Sequence, residues 1–504
     1  MAQEQLAAST TFAPCVTGWN ARDPLDSMIE TDAISLVNWF PNGSNLQLRK
    51  GFTVHSTSLG TGSVRTLAEH VSAAGARKLV ACANGKIYDS TTAGAAATQL
   101  ATGFTVNNWQ TTLYRNKLIL VNGSDQPQQY DGTSVTAANY TGIADDAVLI
   151  NVSAYKGRLY FVEKNSGNIW WGAVDAVTGA LTQLDLSSLL RLGGNIVYAG
   201  SWTRDSGSGM QDLFVVLSNM GEVLLYEGDY PTSSTWNIAG RYLIGAPLGG
   251  YRAAINMGPD LIVMAQDGFY PLSDLLSADT GRTFSKLSDK IRDAVSDAAK
   301  SYSGNFGWSA CYFPKEHMVL FNVPIASDTN YEQYVVNTIT GAWTKFRGMN
   351  GSCFATFNGD LYFGGTDGKV YHGYSGYKDN AAPISTVAKC AFNYFGDRER
   401  KKRFMMARPI YFGDVGTKFL MDVDVDFTDK QITSTVSTTG HAGSPWDTSP
   451  WDTSSWDSAL YYGRNWYSIR GIGRCGALKF IADFCDIEIQ LTSVQVTYEN
   501  GGAL

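Results

Sequence analysis

The feature that most constrains this chain is a hairpin that keeps returning. In the stretch 357–376, FNGDLYFGGTDGKVYHGYSG, two short apolar segments, 360–363 and 369–371, flank a Gly-Gly-Thr-Asp-Gly turn. Glycine supplies the positive φ that such a tight reversal needs. The same grammar recurs in CANGKIYD (82–89), VNGSDQPQQYDG (121–132), EKNSGNIWWG (163–172), LSNMGEVLLYEG (217–228) and AQDGFYPLS (265–273). A seventh copy, YFPKEHMVLFNVP (312–324), keeps both strands but turns at Lys315-Glu316 without glycine. With Gly85, Gly123, Gly167, Gly221, Gly268, Lys315 and Gly368 as markers, the intervals are 38, 44, 54, 47, 47 and 53 residues. Four-stranded propeller blades repeat at roughly 40–50 residues, and a ring of blades hides sheet edges without helices. The expectation is an all-β chain with a β-propeller of six or seven blades over 51–378, the rival being a string of meanders or a sandwich.

Composition agrees with a turn-rich β protein: 52 glycines, 12% aromatic and 17% charged residues are far from the profile of a disordered chain. The balance of 39 basic against 46 acidic residues, net −7, argues against gripping a nucleic acid by its phosphates. Seven scattered cysteines, several in apolar runs such as LVACA, read as buried free thiols in a reducing compartment rather than a disulfide framework. The start MAQEQLAASTTFAP has neither the basic opening nor the apolar core of an export signal, and no apolar run reaches the ~18 residues of a membrane span.

Outside the repeats the grammar changes. Residues 1–50 form an N-terminal arm with an extended segment 33–39, a turn at Asn42-Gly43 and a strand 46–48. One helix is expected over 289–301, with Ile291, Val295 and Ala298 on one face and Ser288 as its cap. Residues 379–504 read as a separate β-rich domain, with strands at 409–412, 419–427, 477–484 and 486–498. It is expected to form a β-rich platform, with or without the arm, and between its strands lies the repeat SPWDTSPWDTSSWDS.

The segment NWFPNGSNLQLRKGF, the repeating middle and the ending IRGIGRCGALKFIADFCDIEIQLTSVQVTYENGG together resemble the tail hub or nozzle proteins of short-tailed bacteriophages. That resemblance spans most of the chain on loose motifs. It implies a non-enzymatic virion protein made in the bacterial host cytoplasm, a homohexameric ring below portal and adaptor proteins. Such a ring retains packaged DNA, lets it pass without sequence-specific binding, inserts in no membrane and mounts a needle, spikes or fibres. The alternative is a carbohydrate-binding or glycan-cleaving propeller.

No catalytic, cofactor-binding or metal-binding residues emerge. His55, His70, His317, His372 and His441 are too far apart for the close pairs of a helical zinc site, and no nucleophile elbow exists. Gly85-Lys86 and Gly368-Lys369 read as hairpin turns. Gly471, Gly473 and Gly476 spell Gly-x-Gly-x-x-Gly but lead into a strand-like run, where no helix N-terminus can face a pyrophosphate. The segment 277–284, SADTGRTF, resembles the Asp-box of sialidases, a structural hairpin. Three features carry functional expectations. Asp422, Asp424 and Asp426 alternate along one strand face, as a channel lining that repels phosphates would. Arg398, Arg400, Lys401, Lys402 and Arg403 form a basic run suited to acidic neighbours. Trp446, Trp451 and Trp456 recur every five residues in turn-rich sequence, as anchors for a partner.

Overall fold

The computed structural model describes residues 8–205, 210–277, 286–414, 416–432, 435–437 and 460–501. The chain divides into two compact units, one of residues 54–333 and 350–373, the other of residues 1–53, 334–349 and 374–504.

The first unit is a β-propeller. Its first blade runs Thr66–Val71, Arg77–Ala83, Lys86–Asp89 and Thr98–Thr102, each strand antiparallel to the one before. The second is Gln110–Tyr114, Lys117–Val121, Gln128–Tyr130 and Val135–Ala137. The third spans Leu149–Tyr155 to Gly179–Asp185, and the fourth Ile196–Asp205 to Asn237–Leu243. The fifth has three strands, Ala254–Met257, Asp260–Ala265 and Gly268–Pro271, followed by the short helix Leu272–Ser277. Ser309–Phe313, Met318–Ala326 and Asn330–Asn337 form a further blade, and the chain passes into the second unit along the last of these strands. The closing blade is composite: Gly351–Phe357, Asp360–Gly365 and Val370–Gly373 are completed by Phe52–Thr57 from the start of the chain. Among the described residues, six sheets are thus confined to the propeller, and the Ser309–Asn337 strands add a seventh set around the same axis.

Blades form because each hairpin is local, and they stack because each sheet is apolar on both faces. Tyr160, Trp171, Phe214 and Tyr226 fuse the third blade to the fourth in one buried cluster, with Trp236 stacked on Tyr226. Similar clusters sit at the other joints, for example Ile119, Phe161 and Trp170 between the second and third blades. Each such side chain contributes roughly 1.5–3 kcal/mol on burial. The turn glycines do what the sequence required: Gly368 has φ +71, and a Cβ there would overlap the carbonyl oxygen of Gly60.

One marker was misplaced. Gly85, Gly123, Gly167, Gly221, Gly268 and Gly368 all turn the chain from a blade's second strand to its third, but Lys315 lies between a first and a second strand. The equivalent turn in that blade is at Asp328, which adopts φ +60 itself. The helix is also built differently at its start. A 3-10 turn Asp289–Ile291 leads into Arg292–Tyr302, burying Ile291, Val295 and Ala298, but Ser288 makes no cap. Its hydroxyl accepts instead from the Phe269 amide at 2.9 Å.

The second unit holds two sheets. Lys402–Asp414 is the spine of one, pairing with Ile489–Asn500 on one side and with Tyr467–Gly473 and Leu460–Gly463 on the other. The N-terminal strand Ala8–Phe12 pairs with the same Ile489–Asn500. In the other sheet Asp32–Val37, Ile384–Cys390, Gly476–Phe484 and Lys418–Val425 lie side by side. Aromatic rings join the layers, as where Tyr411 meets Phe419 edge-on at 5.2 Å. Arm and C-terminal region therefore form one body, which also takes in residues 334–349.

Two long-range links tie it. Arg49, with no exposed surface, donates to both Asp379 carboxylate oxygens (2.8 and 2.6 Å), to Asn38 Oδ1 (2.8 Å), and to the carbonyls of Lys50 (3.0 Å) and Arg347 (2.7 Å). Cys15 and Cys390, 375 residues apart, form a disulfide across a Cα separation of 5.5 Å. This corrects the expectation of free thiols throughout: the strand Asp32–Val37 pairs with Gly18–Trp19, just after Cys15, on one side and with Cys390 on the other. Cys82, Cys311, Cys353, Cys475 and Cys485 are free. No helix among the described residues is long and apolar enough to cross a membrane.

Candidate functional site

The acidic alternation is real, but its face points inward. Asp422 and Asp424 are 8% and 1% exposed, and the strand ends at Val425, so Asp426 begins a turn with φ +48. Asp424 is held by Lys389 Nζ at 2.7 Å and accepts the Lys430 amide at 2.9 Å. Asp422 accepts the Val423 amide (2.8 Å), and Asp426 accepts the Arg474 amide (2.7 Å). A period of two places carboxylates on one face without saying which face is buried. The expected channel lining by Asp422, Asp424 and Asp426 is thereby corrected for Asp422 and Asp424, which are consumed inside the unit; Asp426 is exposed, off the strand, and spends a carboxylate oxygen on the Arg474 amide. Beside them Asp429, bonded by Lys479 at 2.7 Å and flanked by Lys389, has its pKa drawn down to about 2.

The basic run splits. Arg398, Arg400, Lys401 and Arg403 are exposed, with Arg398 stacked on Tyr394 at 4.6 Å. Lys402 is fully buried, and its ammonium donates to the carbonyls of Asp397, Arg400 (3.1 Å) and Arg474 (3.0 Å). Burial lowers its pKa, against the pull of Asp397. It is therefore a structural residue and not part of a contact surface. Trp446, Trp451 and Trp456, like His441 and most of the Asp-box-like segment, lie outside the described residues.

A feature the sequence did not single out is the outer face of the spine strand. Met406 and Arg408 alternate with the buried Ala407, and the Arg408 guanidinium sits 5.1 Å over Trp466. Among the described residues Arg408 has no carboxylate partner, and its Nε is enclosed without an acceptor. Tyr462 (57% exposed), Trp466 (37%) and Ile472 (66%) line the neighbouring strands. Exposed aromatics, methionine and arginine together are the composition of an interface core.

His55, His70 and His372 serve packing. His55 is buried with Nε2 2.9 Å from the Ser90 carbonyl, and Tyr362 lies between it and His372. His70 packs on Tyr130. Gly471 and Gly476 sit in strands, where an added Cβ would meet Val425 and Phe404 respectively, so the glycine motif serves close packing.

The propeller's axis holds a cavity of about 460 Å³, walled by the innermost strands of all seven blades and leading to a mouth near Glu69, Thr112 and Tyr312. At its inner end, Arg252 reaches from the lead-in of the fifth blade to the first and second. Its Nη2 donates to the carbonyls of Arg65 (3.0 Å) and Trp109 (3.2 Å) and to Thr66 Oγ1 (3.1 Å).

No family model matches this chain, and no curated protein does. Among solved structures, YCF48 from Cyanidioschyzon merolae is similar at 13% identity, over 63% of this chain and 97% of that one, with a TM-score of 0.38. YCF48 bound to D1 peptide is similar at 11% identity, over 66% and 96%, with a TM-score of 0.36. Likeness of this order says nothing of what the chain does.

Proposed function

We propose that this chain is a non-enzymatic structural subunit of a phage tail, a hub or nozzle protein whose copies form a ring, with six the number implied by the family it resembles. The observation that carries the reading is the outer face of Lys402–Asp414 with its flanking strands, where Met406, Arg408, Tyr462, Trp466 and Ile472 offer an apolar surface studded with unpaired cation. A second copy is the partner that suits it, with the exposed Arg398, Arg400, Lys401 and Arg403 meeting acidic surfaces of neighbours or of an adaptor. The propeller's axial cavity of about 460 Å³ is of small-molecule size, so a DNA conduit would run between copies and not through a propeller. A chain of net −7 repels phosphates, which favours passage over sticking. Needle, spikes or fibres would mount on the ring, and the protein would reside in the virion.

The test is the mass and negative-stain image of the purified full-length chain, alone and mixed with portal and adaptor proteins. Rings are expected, and Arg408→Glu with Trp466→Ala should leave a folded monomer. A chain that stays monomeric under all these conditions, or rings indifferent to both substitutions, would reject the reading.

A further inference from the structure

The propeller's axial cavity is independent of ring formation, and its chemistry is specific. In a seven-blade circle the fifth blade faces the first and second, so the Arg252 bonds to Arg65, Thr66 and Trp109 form a bar across the axis. The bar uses only Nη2. Nε and Nη1 have no acceptor among the described residues, and no carboxylate there pairs with this guanidinium. Its neighbour Arg65, on the same Phe306 ring, is by contrast neutralised by Asp328 at 2.5 Å. Arg252 is the single ionised residue among those lining the cavity. The rest of the wall is rich in neutral hydrogen-bonding groups, including Gln110, Thr111, Asn151, Ser153 and Asn256, and Ser153 Oγ is enclosed without any partner. A half-buried cation without a counter-charge, in a cavity whose wall also carries an unsatisfied hydroxyl, favours an anion with hydrogen-bonding groups in that space.

We propose that this cavity is a binding site for a small hydroxylated monoanion the size of a sugar acid. Arg252 holds the carboxylate through Nε and Nη1, and the amides and hydroxyls of the wall take the ligand's hydroxyls. A volume of about 460 Å³ lies in the range of small-molecule sites. A neutral sugar would leave the guanidinium unmatched, and a dianion would exceed its one charge.

Calorimetric titration of the full-length chain with D-glucuronate, D-galacturonate, D-gluconate and N-acetylneuraminate tests this, with D-glucose and acetate as probes lacking charge or hydroxyls. At least one acid should bind, with both control probes weaker by roughly tenfold or more. Asn256→Asp leaves the bar intact but adds like charge to the wall, and should weaken the acid by a similar factor. Arg252→Gln should abolish binding in protein that keeps its circular dichroism. A disaccharide ending in the bound acid separates sources: binding it equally identifies a glycan terminus, and binding the free acid alone identifies a free metabolite, and both support the site. Silence from all four acids, equal binding of glucose, or indifference to Asn256→Asp would overturn it.

Discussion

Apart from the closing strand Phe52–Thr57, propeller strands pair with near neighbours in sequence, whereas the main strands of the second unit pair across hundreds of residues. In the second blade Leu118 faces Tyr130, but in the other unit Ala8 faces Tyr498 and Ala33 faces Cys390. The difference teaches where cooperativity resides. A blade is specified by its own turns and then fused to the next by apolar faces, while the second unit exists only when three separated stretches meet. Its integrity therefore rests on a few long-range ties, and the propeller's on many equivalent short ones.

The sharpest way to break this contrast is Arg49→Met. Removing the guanidinium strands Asp379 and Asn38 in the interior, and loss of one partner of a buried pair costs about 3–5 kcal/mol. Hydrogen exchange should accelerate over residues 8–53 and 374–501 and stay slow over 66–243. Equal acceleration in both regions would dissolve the distinction. Cys15→Ser comes next: opening a link across 375 residues should lower the second unit's stability by about 2–4 kcal/mol in denaturant titration. A reductant should reproduce the effect in the unaltered protein and add nothing to the variant.

Within the propeller, Gly368→Ala forces a side chain into positive φ against Gly60, for a loss of about 1–3 kcal/mol confined to the closing blade. The smallest effect is a pH dependence. Burial holds the His55 pKa below 6.5, opposed by its bond to the Ser90 carbonyl and aided by His372, whose own pKa burial lowers despite Asp360. The folded state then takes up protons less readily than the unfolded chain, so this blade keeps its full stability above pH ~6.5 and loses it on acidification. The thermal midpoint should fall between pH ~7 and ~5, and His55→Gln should flatten that slope; an unchanged slope would remove His55 from the account.

The same contrast explains what could be read in the sequence. Blades were legible because glycine turns between apolar runs act locally, and the one slip, Lys315 for Asp328, came from a turn in which an aspartate takes the glycine's conformation. The thirteen-residue strand Lys402–Asp414 was half hidden, since its basic opening reads as loop and only 409–412 as strand, Pro409 marking a strand start where the chain in fact runs on unbroken. Asp422 and Asp424 showed their shared face but not its burial, which depends on Lys389, itself on a distant strand. Nothing around Arg252 marks it, because its partners arrive from blades made well before it.

One feature of the closing blade bears on the time order of manufacture. Phe52–Thr57 emerges from the ribosome early, yet its mate Val370–Gly373 comes after more than 300 further residues. At about 5–20 residues per second that wait is on the order of tens of seconds. Throughout it the nascent chain is an open fan with two raw borders, shielded by no partner of its own until translation has nearly finished.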